Sequence, residues 1–525
     1  MRDFHLPGRS PVWAEGGVCA TSSPLAAQVA VQMLRDGGNA LDAAMAGAFV
    51  LGITEPPMCG LGGDCFALIS PAGSEEIHAF NGSGRAVAGA DPQVLRDRGE
   101  ATVPLTDPLA VTVPGAVDGF FRMNALWGKK GMDTILAPAL HYFETGVAMA
   151  PRVVSDYAGL APNMTEAGKA HFLPWGRAPR PGDRLTLPGQ AQVLRRMAAD
   201  GAQAFYTGEV AEDIIATLKA LGGPHTLDDL ADHEGMETDP ISGEYHGIEL
   251  WEHPPNGQGA TAILLANILA QFDIAAMDPN GAKRMHIQAE ATRLAYDARN
   301  RLLADPDHMA RLDHMLDLDT ARRLAALINP AKATAKLTES ADAVHKDTVY
   351  ITVVDSDRMS VSLIYSVFHG FGSNICTDKF GIMLQNRGAG FSLTPGHANE
   401  MAPGKRPMHT IIPGMLKQDG KVIMPFGVMG GAYQACGHAH FLSNIRDFGM
   451  DPQAAIDAPR AFPEGDVLTI ENGFAPEVLL ELSDMGHTLG APKTAIGGAQ
   501  AIRIHDNGFL EAGSDPRKDG CAIGY

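Results

Sequence analysis

The run DTVYITVVDSDRMSVSLIYSV, residues 347–367, constrains the fold more than any other stretch of the chain. Thr348 opens a segment of β-branched and aromatic residues, which suit a pleated and buried strand. Asp355-Ser356-Asp357 reads as a turn, and Met359 to Val367 reads as the returning strand. A threonine at the head of a core strand also has a chemical use. If the Asp347–Thr348 peptide were cut, Thr348 would carry a hydroxyl nucleophile and a free α-amine. An α-amine with a pKa of about 7.7–8.0 can accept the hydroxyl proton near neutral pH. Taken alone, the hairpin favours the plainer reading, a threonine chosen as a β-former.

Changes of period along the chain give its organisation. Residues 24–53 predict two helices broken at Gly37-Gly38-Asn39, then a Gly-rich turn from Cys59 to Asp64 and an apolar strand from Cys65 to Ser70. Residues 188–222 and 257–303 predict helices, with Ala282 to Ala304 as one amphipathic helix. From 347 onward strands return. Strands near both ends with helices between them suggest sheets covered by helices. Residues 326–346, rich in Ala, Lys, Ser and Thr and without an apolar stripe, read as an exposed linker.

Composition removes several classes of function. With 61 acidic and 41 basic side chains the net charge is −20, and no block of Lys or Arg occurs, so nucleic acid and an anionic membrane surface are disfavoured as partners. The longest apolar stretch, Ala43 to Ile53, is too short to span a bilayer and reads as a buried helix. The first residues show no apolar secretory core, which gives a cytoplasmic expectation. Six scattered cysteines without a CxxC pair fit reduced thiols rather than a disulfide frame or a zinc site. His438 and His440 form an HxH without an acidic or Cys partner at ligand spacing, so no metal is expected, nor any cofactor. GLGGD at 60–64 lacks the Lys and Ser/Thr of a phosphate loop and reads as a structural turn. No serine lies in GxSxG.

The collinear series EPPMCGLGGDCFAL (55–68), FNGSGRA (80–86), HPPNGQG (253–259), the 347–367 hairpin, GIMLQNRGAGFSL (381–393), PGKRPMHTIIPGM (403–415) and MGGAYQ (429–434) resembles the γ-glutamyltranspeptidase family of N-terminal nucleophile hydrolases. The resemblance implies an α+β fold, a four-layer αββα sandwich. It also implies self-cleavage between Asp347 and Thr348 into segments 1–347 and 348–525, which together form one structural domain. Thr348 then matches the catalytic threonine and Ser366 a supporting hydroxyl. Gly430 and Gly431 match the pair whose amides form the oxyanion hole.

The substrate pocket departs from the family pattern. The two residues that hold a substrate α-ammonium group fall on Phe368 and Gly390, which offer no oxygen to it. The serine pair that binds the α-carboxylate becomes His409-Thr410. The family's carboxylate-binding arginine falls near Ser83, with Arg85 two residues later. Arg387 stands where the family usually has a neutral side chain, and with His409 it is expected to clamp a carboxylate. LQNRG, GFSL and GKRPMHTIIPG look like the branch containing oxamate amidohydrolase and glutathione-hydrolase-like proteins. The expectation is hydrolysis of an amide whose small acyl part, oxamate-like or glutaryl-like, carries a carboxylate. True γ-glutamyl hydrolysis or transfer is the runner-up, and a catalytically silent binding protein for small carboxylates is the alternative of another class. The oligomeric state stays open, homo-oligomers included.

Overall fold

The computed structural model describes residues 8–160, 163–334 and 348–525. Asp347 and most of the expected linker lie outside the described residues.

Two seven-stranded antiparallel sheets form the centre. One runs, edge to edge, Cys521–Gly524, Val18–Thr21, Val349–Val354, Ser360–Ser366, Asp64–Ser70, His78–Gly82 and Met236–Thr238. The other runs Val12–Ala14, Leu510–Ser514, Gly498–Ile504, Lys421–Met429, Gly414–Gln418, Ile248–Glu252 and Ile241–Tyr245. Each sheet therefore mixes strands from before and after position 347.

Strand alternation assigns the layers. Along Val349–Val354, the side chains of Val349, Ile351 and Val353 join a core shared with the helices Pro24–Arg35, Ala40–Thr54 and Ala116–Trp127. The intervening Tyr350 packs with Phe66, Ile364, Ile411 and Met429, and Val354 packs with Ile502 and Ala512 of the other sheet. That second sheet buries its far face under the helices Gly259–Leu269, Ala282–Leu302 and Tyr433–Arg446. The result is the four-layer αββα sandwich.

Local chemistry fixes the hairpin and the helix break. The Asp355 carboxylate accepts the N–H groups of Asp357 and Met359 at 3.0 Å, closing the turn, and that of Ala40 at 2.9 Å, docking the turn on a helix N-terminus. That helix begins with a capping box, in which Asn39 accepts from Asp42 N–H and Asp42 accepts from Asn39 N–H. The Ala282–Leu302 helix departs from the amphipathic expectation. Arg284, His286, Glu290 and Arg299 are buried in it because facing elements supply them with partners. No helix among the described residues is long and apolar enough to cross a membrane.

The two sheets meet closely at Gly427, where an added Cβ would come within 2.3 Å of the Tyr350 ring. Gly427→Ala should cost about 1–3 kcal/mol in urea unfolding through overpacking. Gly159→Ala, in a helix with open space around it, should be neutral or stabilising by about 0.5–1 kcal/mol.

Candidate active site

Register builds the site. Val349 pairs with Tyr365 and Ser366 with Asp64, so Thr348 falls opposite Ser366, while Cys65 pairing with Gly82 sets Asp64 opposite Ser83. Thr348, Ser366, Asp64 and Ser83 thus form one row across four neighbouring strands. Two residues inward, Tyr350, Ile364 and Phe66 form the parallel row that packs between the sheets. The polar row shares that face and closes the end of the sandwich.

Thr348 is 1% exposed, and its Oγ1 lies 3.4 Å from Ser366 Oγ. Ser366 Oγ accepts the Phe368 N–H at 2.8 Å. Phe368 has φ +81°, and Phe371 and Asn374 also lie at positive φ. Non-glycine residues there store strain, which collects at functional loops.

Asp64, which the sequence reading absorbed into a structural turn, is the charged centre of the row. Its carboxylate receives Arg387 Nε at 3.0 Å and Nη2 at 3.1 Å, and His409 Nε2 at 2.6 Å. All three side chains are fully buried. Burial pushes the Asp64 carboxyl up, but Arg387 and His409 outweigh it and hold the group below the usual carboxylate range. Burial, reinforced by Arg387, pushes His409 down to about 4. The ring is therefore neutral at pH 7. It donates from Nε2 to Asp64 and accepts the Ile411 N–H on Nδ1 at 3.3 Å. Both ring nitrogens are thus engaged, one by Asp64 and one by the Ile411 amide.

Arg387 is buried, with its guanidinium 4.2 Å above the Phe368 ring and Nη1 3.3 Å from Thr410 Oγ1. Asp64 already takes its Nε–Nη2 edge, so only the Nη1–Nη2 edge remains for another anion. Arg85 does not join this group. It is half-exposed, donates to Gly404 O at 2.8 Å and lies 3.7 Å from Asp305.

Gly430 and Gly431, at φ +119° and +56°, link the Lys421–Met429 strand to the Tyr433–Arg446 helix. Only glycine adopts both angles freely, and a Cβ on Gly430 would lie 2.9 Å from Gly497 Cα. The Gly430 carbonyl accepts the Tyr433 N–H at 3.1 Å, so the planar trans peptide aims the Gly431 N–H away from the helix. Gln258 braces this turn. It donates to Gly431 O at 3.0 Å and Thr410 O at 2.6 Å, and buried Arg299 donates to its Oε1 at 2.9 Å. Asn256 and Gln258 of HPPNGQG escaped functional notice. Within that motif they are the side chains that reach the Ser83 and Gly431 ends of the site.

Gly62 and Gly63 of GLGGD permit close approach. A Cβ on Gly62 would lie 2.2 Å from Met383 O, and one on Gly63 2.4 Å from Ser366 O. Outside the site, His438 does have an acidic partner, Glu252 at 2.7 Å, which lies 186 residues away along the chain. All six cysteines are free.

The gamma-glutamyltranspeptidase family model matches residues 26–525. The chain belongs to this family. Glutathione hydrolase-like YwrD proenzyme of Bacillus subtilis is 34% identical over 95% of this chain and 97% of its own. Oxamate amidohydrolase proenzyme of Klebsiella pneumoniae is 34% identical over 97% of this chain and 98% of its own. The crystal structure of cephalosporin acylase from Bacillus halodurans superposes with a TM-score of 0.93 at 35% identity, covering 100% of this chain and 99% of that one. Family membership makes the chain an N-terminal nucleophile enzyme of amide hydrolysis or acyl transfer.

The depressed His409 has a consequence for this family member's stability. A histidine whose folded pKa lies below its unfolded 6.5 contributes stability that is present above 6.5 and lost as pH falls towards 4. From this group the loss should be on the order of 3 kcal/mol. Urea unfolding at pH 7 and pH 4.5 should show a smaller drop for His409→Gln than for wild type.

Proposed function

We propose that the protein is a self-processing amidohydrolase that cleaves an amide of a small carboxylate-bearing acyl group through an ester on Thr348. The observation that carries this reading is the placement of Thr348 and Ser366, hydroxyl to hydroxyl at 3.4 Å, in the same buried row as Asp64 and its Arg387 pair.

In the precursor the Thr348 hydroxyl attacks the Asp347 carbonyl, and collapse of the intermediate breaks the C–N bond and frees the Thr348 amine. Water then hydrolyses the resulting ester to restore the hydroxyl and release the Asp347 carboxylate. In the mature enzyme the hydroxyl attacks the substrate amide carbonyl while the α-amine takes its proton. The amides of Gly430 and Gly431 stabilise the oxyanion, the amine leaves with the proton, and water hydrolyses the acyl ester. Arg387, through the edge that Asp64 leaves open, holds the acyl carboxylate beside Thr410.

Two features support a simple carboxylate over a γ-glutamyl group. Phe368 faces Arg387 with an aromatic ring, and a Cβ on Gly390 would lie 2.7 Å from Met408 O, so a carboxylate side chain does not fit there. The acid in this row, Asp64, is already engaged by Arg387 and His409. Relatives named oxamate amidohydrolase and Acylase ACY 1 agree with amide hydrolysis. Relatives named glutathione hydrolase, such as that of Escherichia coli at 32% identity, keep γ-glutamyl transfer as the second reading.

Purified protein should contain a fragment beginning TVYITVVD, and Thr348→Ala should stay as one chain without activity. N-terminal sequencing and an amine-release screen of oxamate, glutaryl amides and γ-glutamyl amides check both points. A Thr348→Ala protein that still cleaves and turns over would overturn the assignment, and preference for γ-glutamyl amides would select the second reading.

Arg387→Met alone would strand the buried Asp64 charge at a cost of about 3–5 kcal/mol. Asp64→Asn with Arg387→Met removes both charges and isolates the clamp. The double variant should lose roughly 10- to 150-fold in kcat/KM on the best carboxylate substrate, equivalent to about 1.5–3 kcal/mol for one charge-assisted bond. Steady-state kinetics that match wild type would remove Arg387 from the substrate site.

A further inference from the structure

On the outer side of the second sheet, three ligand-type side chains converge away from Thr348. His286 and Glu290 lie four residues apart on one face of the Ala282–Leu302 helix, and His487 lies between the Pro476–Asp484 helix and the Thr488–Gly490 strand. All three are buried, and one ligand atom from each lies within 4.8 Å of the other two. His286 Nδ1 and His487 Nε2 are 2.8 Å apart.

The surroundings prepare His286 and Glu290 as ligands, whereas His487 Nε2 donates to His286 Nδ1 in this structure and would have to pass its hydrogen to the unpartnered Nδ1 to take up a cation. His286 Nε2 lies 2.8 Å from Asn329 O. A carbonyl only accepts, so Nε2 carries the hydrogen and Nδ1 turns a lone pair inward. Metal-bound histidines are oriented in this way by a carbonyl on the outer nitrogen. Glu290 accepts Arg293 on Oε1 at 2.5 Å and the Thr334 N–H on Oε2 at 3.0 Å, and each oxygen keeps a second lone pair.

We propose that His286, Glu290 and His487 bind a divalent transition cation of the zinc class through two imidazole nitrogens and one carboxylate oxygen. Zinc–nitrogen bonds of about 2.0–2.1 Å place tetrahedral ligands roughly 3.3 Å apart, so the two rings need to part by only about half an ångström. No further His, Cys, Asp or Glu joins the group among the described residues, which leaves the remaining position to water. The ligand set suits Zn²⁺, Co²⁺ or Ni²⁺ better than Ca²⁺ or Mg²⁺, which prefer all-oxygen shells.

The cation would act as a staple. The same side chains already hold the run Asn329–Thr334 through Asn329 O and Thr334 N, and Ala333 N–H bonds to Met485 O at 2.7 Å. Occupancy would join the Ala282–Leu302 helix, the 485–487 turn and the chain that leads towards Thr348.

The test uses the full chain, freed of metal with a chelator and titrated with Co²⁺ by visible absorption and with Zn²⁺ by calorimetry. Wild type should bind one equivalent, with the intense ligand-field bands of four-coordinate Co²⁺. His487→Ala should abolish that binding, and Glu290→Gln should weaken it at least about tenfold, with circular dichroism confirming the fold of both. Because Glu290→Gln preserves shape, it answers the question if His487→Ala fails to fold. Absence of a saturable equivalent in wild type, or full retention of it in Glu290→Gln, would overturn the site and leave the cluster as a hydrogen-bonded histidine pair.

Discussion

The rest of the site depends on one buried charge. Asp64 sits on a strand beside the one that carries Ser366, where an unpaired carboxylate would be prohibitive. Arg387 and His409 therefore have to be where they are. Each belongs to a different stretch of irregular chain, the 387–390 turn and the 405–413 run, and the carboxylate pins both against the sheet end. A core strand thus holds both loops, which also meet each other where Arg387 Nη1 lies 3.3 Å from Thr410 Oγ1. The same ion pair sets Arg387 over the Phe368 ring, on a loop whose strained backbone leaves Ser366 directly.

Much of the fold was legible because its determinants are local. The hairpin turn, the helix break at Gly37-Gly38-Asn39 and the buried Ala40–Thr54 helix are all encoded within a few residues of where they act. Thr348, Ser366 and the glycine pair were singled out through motif order alone. Asp64 was not, because an aspartate after three glycines and a leucine looks like a turn residue until its partners, 323 and 345 residues away, are brought to it. Gln258, Glu252 and the His286 cluster were hidden for the same reason. Their chemistry exists only across elements that the chain connects late.

A turn with two positive-φ glycines would be loose on its own. Here it is tethered from behind by Gln258, which is held by Arg299, which stacks 4.2 Å from the Tyr296 ring. Tyr296 in turn bonds the Ala432 carbonyl. The glycine turn is therefore fixed from behind by side chains, and such preorganisation is what the oxyanion role proposed for its amides would require.

Both sheets interleave strands from either side of position 347, and this bears on what a cut there would leave. The two pieces would share every layer of the sandwich, so neither could depart without unzipping both ladders and exposing the inter-sheet core. A nick would be nearly invisible to the folded body and yet irreversible for its history. Once unfolded and separated, the fragments would have to find each other at a rate set by concentration. Such a protein assembles once, as a single tethered chain, and its durability afterwards is a matter of how slowly it opens.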